Sequence, residues 1–379
     1  MCRTLPGIPR HPLAGVKMAP SNQPVAAAVA PPPSTAAPAG LDCRNFDLAQ
    51  YKQQAAAAVM ARYTTWLCCQ FAPDEPSLLV AGNSHGDIRL YSVPALASGN
   101  AAGAATLSMQ AHRGPVYQLA FASLGGAAVL LTAGDDGYVR GWEWAALRGG
   151  SAPAAPQFEL AVPKGLGAEA MVAEVNAVYA PPGGQHVYAG AGDGVCYCWD
   201  VSTGQAVAQL RGHKAGILSA TGHASHLATA SADSTVRLWD LRNSQCSATI
   251  SPPNPSKTSA PPPVKAVQFD SGGNWLVATA GAGLHMWSVC AAAMASTIRT
   301  EAPLQAIVTQ PNRILTAGDE ACVRKYDFSG ACLGKMTASS GCAYGLAASE
   351  TTRVVATCGA RGMLDVFTEN GSRLGGLLP

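Results

Sequence analysis

The chain has 379 residues, 40 of them Gly and 27 Pro, and is 48% hydrophobic but only 13% charged, against roughly 25% charged in an average globular domain. Gly plus Pro is 67 of 379, below the roughly 25 to 30% at which a whole chain reads as low-complexity, so most of it should fold. Residues 1–60 hold Arg3, Arg10, Lys17, Arg44 and Lys52 against Asp42 and Asp47, a balance of +3; the formal total is +2, so the other 319 residues sum to −1. Such a near-neutral body lacks the electrostatic footprint of a domain that binds nucleic acid by itself.

No run approaches the 18 or more consecutive apolar residues of a spanning helix, so no membrane partner is expected. The twelve Cys form one adjacent pair (Cys68, Cys69), one C-x-C (Cys196, Cys198) and singles, with no C-x-x-C. That spacing argues against a zinc site and for free thiols in a reducing compartment.

Residues 1–40 are almost wholly Ala, Pro and small polar residues without hydrophobic periodicity, and are expected to form a disordered tail. With three early basic residues and no acidic residue before Asp42, the tail also resembles an organelle transit peptide; a start at Met18 would remove most of that likeness. From 41 to 62 the chain is rich in helix formers and free of Gly and Pro after Gly40, which predicts one short helix. From residue 63 to 379 the texture changes to short Val/Leu/Ala/Thr runs punctuated by Gly, Asp, Asn and Pro, an all-β signal.

Within that body one segment recurs: a small-residue run, a tight turn, then alternating residues ending in an aromatic. The clearest copy is LATASADSTVRLWD (Leu227 to Asp240), and LLTAGDDGYVRGW (Leu130 to Trp142) and VYAGAGDGVCYCWD (Val187 to Asp200) align with it without gaps. Weaker copies end at Tyr91, Trp287, Tyr326 and Phe367. The seven aromatics, Tyr91, Trp142, Trp199, Trp239, Trp287, Tyr326 and Phe367, are spaced by 51, 57, 40, 48, 39 and 41 residues. Those spacings centre on the 40 to 45 residues of a four-stranded propeller blade. The longest contains GGSAPAAPQFELAVPKGLG and another SPPNPSKTSAPPP, both expected to be rim insertions. After Phe367, Ser372 to Leu378 can supply a last strand, so the ring should close by packing of its first and last blades without strand exchange.

Residues 64 to 378 resemble the WD40 family, which implies a seven-bladed all-β propeller. In that family a blade can carry a buried tetrad of His before the innermost strand, Ser/Thr on the second, Asp in the tight turn and Trp on the third. Two sets match residue by residue: His112, Thr132, Asp136 and Trp142, and His213, Thr229, Asp233 and Trp239. In both, Thr lies four before Asp and Trp six after it. Asp and Trp then flank a hairpin turn, so the indole N–H can reach the Thr hydroxyl while His bridges that hydroxyl to the carboxylate. At the turn position other repeats have His85, Gly281, Glu320 and Arg361, and the Trp199 repeat pairs Asp193 with Ala189; these blades are expected to lean on packing, with Tyr91, Trp199, Trp287, Tyr326 and Phe367 as anchors.

His, Asp and Thr together can also spell nucleophilic catalysis. Here the set occurs twice at matching offsets with its Trp, which is what scaffolding does, and no G-x-S-x-G or dinucleotide fingerprint accompanies it. No enzyme, metal, cofactor or small-molecule substrate is expected.

A narrower resemblance is carried by AHRGPVYQLAF (Ala111 to Phe121), LLTAGDDGYVRGWEW (Leu130 to Trp144) and Glu174 to His213, which are similar to WD40 subunits of the THO complex in their plant and algal form. That likeness implies a non-catalytic scaffold of the nuclear THO/TREX assembly in mRNP assembly and mRNA processing and export. Other THO/TREX subunits would be its partners, with RNA touched only indirectly. A competing resemblance is the W-D-x-R box Trp239-Asp240-Leu241-Arg242, similar to the box by which some WD40 proteins dock on a DDB-type adaptor of cullin-4 ubiquitin ligases. There the exposed guanidinium of Arg242 would pair with an acidic partner.

Overall fold

A computed structural model describes residues 51, 52, 59, 63–99, 104–164, 172–254 and 260–377. The tail expected over 1–40 lies outside them, as does most of the helix expected over 41–62, of which Tyr51, Lys52 and Val59 have helical backbone. From Trp66 onward the chain forms seven four-stranded sheets, each assembled from four consecutive strands. The blades span 66–110, 116–161, 175–211, 217–250, 264–299, 304–337 and 343–377. This is the seven-bladed β-propeller that the repeat spacing implies.

An antiparallel meander fixes which loops share a rim. The connections between blades and the turn joining second to third strands lie on one rim, here the connection rim. Turns joining first to second and third to fourth strands lie on the other, the far rim. First strands line a central channel, and each leaves one edge unpaired within its own sheet, a row of backbone groups that must find partners elsewhere. Side chains of neighbouring blades supply several. Gln118 accepts from the Val178 amide at 2.7 Å, Ser219 from Val267 at 3.3 Å and Gln268 from Thr309 at 3.2 Å, while Thr309 donates to the Phe269 carbonyl at 2.7 Å.

The small-residue runs are the second strands. Leu78–Asn83 is buried at all six positions, because a second strand meets neighbouring blades on both faces and reads as continuous rather than alternating. Fourth strands face solvent on one side and alternate, as Ala293–Arg299 does between exposed and half-buried positions. The turn between second and third strands needs a left-handed residue. Gly137 provides it in blade two at φ +77°, and Ser234 adopts φ +68° at the matching place in blade four, where an L side chain is mildly strained.

The ring closes without strand exchange. Arg373–Leu377 pairs with Leu364–Thr368 as the last strand of blade seven, and one apolar cluster joins Trp66, Leu79 and Tyr91 of blade one to Val354, Leu364 and Val366 of blade seven. Trp66 donates its indole N–H to the Gly362 carbonyl at 3.1 Å. A short helix after the third strand of blade one, α1 (Val93–Ala97), lies over the seam. There a Cβ on Gly375 would come within 2.0 Å of the Leu96 carbonyl oxygen, so only glycine permits the approach.

One expectation about the insertions changes. The stretch 149–167 is not a single insertion: its Phe158–Ala161 is the fourth strand of blade two. Leu160 is buried opposite Val139, and Phe158 fills the space left by Gly141, whose Cβ would lie 2.2 Å from the phenyl ring. Loops on opposite rims flank that strand. The sequence also hides two one-turn helices, α1 and α2 (Trp144–Arg148), each too short to show helical periodicity.

Candidate functional site

Each tetrad begins with its indole. In blade two, Trp142 Nε1 donates to Thr132 Oγ1 at 3.1 Å, Thr132 Oγ1 lies 2.8 Å from His112 Nε2, and His112 Nδ1 lies 2.8 Å from Asp136 Oδ1. Blade four repeats the chain through Trp239, Thr229, His213 and Asp233 at 2.8, 2.8 and 2.9 Å. One tautomer uses every group: the indole donates to the hydroxyl, the hydroxyl to Nε2, and Nδ1–H to the carboxylate. Thr132 and Thr229 have no exposed surface. A hydroxyl already bonded to an indole and closed to solvent cannot attack a substrate, so the arrangement can orient and anchor loops but not perform acyl transfer.

The two carboxylates are held differently. Burial pushes the Asp136 carboxyl up, but bonds from His112 and Arg140 outweigh it and set the group well below the usual carboxylate range. Arg140 contacts Asp136 at 2.7 Å and Glu159 at 2.6 Å, and also meets the Ala111 carbonyl at 3.1 Å. Asp233 has no such arginine. Burial again pushes up, while the Thr235 hydroxyl at 2.6 Å, the Lys214 amide at 2.9 Å and His213 bring it down to about 2. His213 itself sits below its ordinary value because burial outweighs Asp233.

Blades one, three, six and seven do not lean on packing alone. In blade one, Asn83 Oδ1 accepts from the His85 and Asp87 amides, each at 2.9 Å, closing the turn that lacks Asp. In blade three, Asp193 takes the Tyr197 hydroxyl at 2.7 Å and the Val195 amide at 3.0 Å. Glu320 of blade six grips Arg324, which reaches back to Glu301 in the preceding connection at 2.5 Å. Blade seven uses Asp365, on its third strand, to hold the Ser339 amide at 2.7 Å, the Ser339 hydroxyl at 2.9 Å and Arg373 at 2.7 Å. A turn or connection without the tetrad still has orphan backbone groups, and these four blades satisfy them with whatever polar residue their strands and turns offer. Asn83 two before His85 carried an Asx-turn signal. Asp365 carried none, because it lies outside the turn.

The remaining anchors occupy one place in every blade. Tyr91, Trp199, Tyr326 and Phe367 are buried near the ends of their third strands, while Trp287 is half-buried. In the W-D-x-R box, Trp239 belongs to the tetrad and Arg242 folds back on Asp240, with Nε–Oδ1 at 2.9 Å and Nη2–Oδ2 at 2.6 Å. This bidentate pair holds the Asp240 carboxyl down at about 2. The guanidinium fork is thus occupied within the box, and its geometry gives the adaptor-docking reading no support. Among the described residues no group of three His, Cys, Asp or Glu is placed to hold a metal ion, and no helix is long and apolar enough to cross a membrane.

Seven meandering blades with repeated His–Thr–Asp–Trp chains define a class, and a family model for the WD domain, G-beta repeat, matches residues 103–143, 171–200 and 204–240. The chain therefore carries WD40 repeats over those residues, within a seven-bladed β-propeller. Among individual proteins it is similar to THO complex subunit 6 of Arabidopsis thaliana, 28% identical over 360 residues that cover 88% of this chain and 97% of that protein. It is also 28% identical to THO complex subunit 6 of Homo sapiens and to the Rattus norvegicus homolog, in each case over 308 residues covering 78% of this chain and 87% of the relative.

Proposed function

We propose that this propeller is a non-catalytic scaffold subunit of a nuclear THO/TREX assembly, acting in mRNP assembly and in the processing and export of mRNA. The observation that carries the reading is the length of the likeness: 97% of the Arabidopsis protein aligns with 88% of this chain, so the ring as a whole, and not one repeat, is shared. The chemistry of the blades agrees with it. Both histidine tetrads are spent on fixing loops, which leaves rigid rims for protein contacts. The body charge of −1 suits a subunit that meets RNA through its neighbours.

Affinity purification of the tagged chain from nuclei at endogenous expression tests the reading. The other THO subunits are expected in the eluate at levels comparable to the bait. Their absence there would overturn the proposal.

A further inference from the structure

On the far rim, blades one to three surround a recess of about 360 Å³ whose wall contains no charged side chain. Phe71 and Phe121 contribute aromatic surface, and Pro73, Ala122, Ala180 and Pro182 surround them. The surface is preformed: Phe121 meets Trp144 edge-on, with centroids 4.9 Å apart at 84°. Trp144 is in turn fixed by its indole bond to Asp74 at 2.8 Å. A rigid apolar hollow of this kind accepts a side chain with little ordering cost on the receiving side.

What borders the hollow selects its occupant. Asp74 and Glu75 follow the lining residue Pro73, and Glu143 pairs opposite Val129, beside the lining residue Ala128, so three carboxylates flank the hollow against one guanidinium, Arg148. Arg148 is already paired with Asp74 at 2.9 Å. A second copy docking by two-fold symmetry would set this acidic border against itself, which like-charge repulsion disfavours. A segment with Lys or Arg beside its apolar anchor meets the border with the opposite sign.

We propose that this recess is the docking site for a sister subunit, through a segment that inserts an apolar side chain and flanks it with basic residues. The proposal rests on the function inferred above and adds to it a face and a recognition chemistry.

The test uses the full-length chain, tagged at its own locus, as wild type, as Ala128→Arg and as the double variant Glu75→Lys, Glu143→Lys. Ala128 lines the recess and is exposed at the start of its strand, so a bulky cation there blocks the hollow and repels a basic partner without touching the core. Wild type should recover the THO subunits, Ala128→Arg should lower that recovery about tenfold, and the double variant several-fold, all with unchanged melting temperature. Wild-type recovery by both variants overturns the recess while leaving the function standing. Loss with Ala128→Arg alone overturns the basic flank, and a purified wild-type dimer in sedimentation that Ala128→Arg abolishes makes the occupant a second copy. If wild type recovers no THO subunit, the functional reading fails and takes this proposal with it.

Discussion

Blades two and four, set beside blade seven, show one physical problem solved twice by the same residues and once by others. Every blade must satisfy the amides of a tight turn and tether the connection that enters its innermost strand. Blades two and four do so with a carboxylate in the turn, reached through His and Thr from a buried indole. In blade seven the turn position is Arg361, in left-handed backbone at φ +61°, and the connection is tethered from the third strand by Asp365, whose side chain is 1% exposed. The identity and position of the acceptor are negotiable, a carboxylate outside the turn in blade seven and the Asn83 amide oxygen in blade one, because an unpaired buried amide costs as much in either.

Four substitutions break the comparison at different depths. Trp239→Ala removes both the packing of blade four and the first donor of its tetrad, and should cost roughly 3 to 5 kcal/mol in chemical denaturation. Asp136→Ala leaves Arg140 and His112 without their shared acceptor and should cost about 3 kcal/mol. Asp233→Ala, where no arginine is stranded, should cost roughly 1 to 3 kcal/mol. If blade seven is locked as firmly as blade four, Asp365→Ala will match Asp233→Ala, with losses of roughly 1 to 3 kcal/mol for each. A negligible loss at Asp365 would show that its contacts are incidental.

Titration sharpens the same contrast. His213 sits below its ordinary 6.5 and Asp233 at about 2 against an ordinary 3.8, so the unfolded chain binds more protons than the folded one at both sites. Stability should therefore fall as pH drops, first below about 6.5 and again between about 4 and 2, with Asp233→Asn flattening the second decline. Denaturation midpoints measured from pH 7 to 2 read this directly. The smallest expected effect is at the exposed Asp240–Arg242 pair: Arg242→Ala should leave the melting temperature unchanged, since an exposed pair competes with water and with side-chain entropy.

Recurrence made part of this legible in advance. The aromatic spacing gave seven blades, and the Thr-x-x-x-Asp-x-x-x-x-x-Trp offsets marked His112 to Trp142 and His213 to Trp239, because identical residues at identical offsets can be counted. Where a blade solved its problem alone, nothing repeated. Asp365 and the Arg324–Glu301 tie were invisible for that reason, Asn83 left only an Asx-turn signal, and Phe158–Ala161 reads as insertion because four residues between two Pro-rich stretches carry too little periodicity to declare a strand.

The sequence by itself determined the class of fold, the number of blades and the residues of two tetrads, since each is a local pattern whose meaning depends on spacing along the chain. Tertiary structure decided how the ring closes over Gly375, which polar side chain serves blades one, three, six and seven, and that Phe71, Phe121, Ala180 and Pro182 from three blades share one recess. Those outcomes depend on distances between residues far apart in the chain, and such distances exist only once the ring has formed.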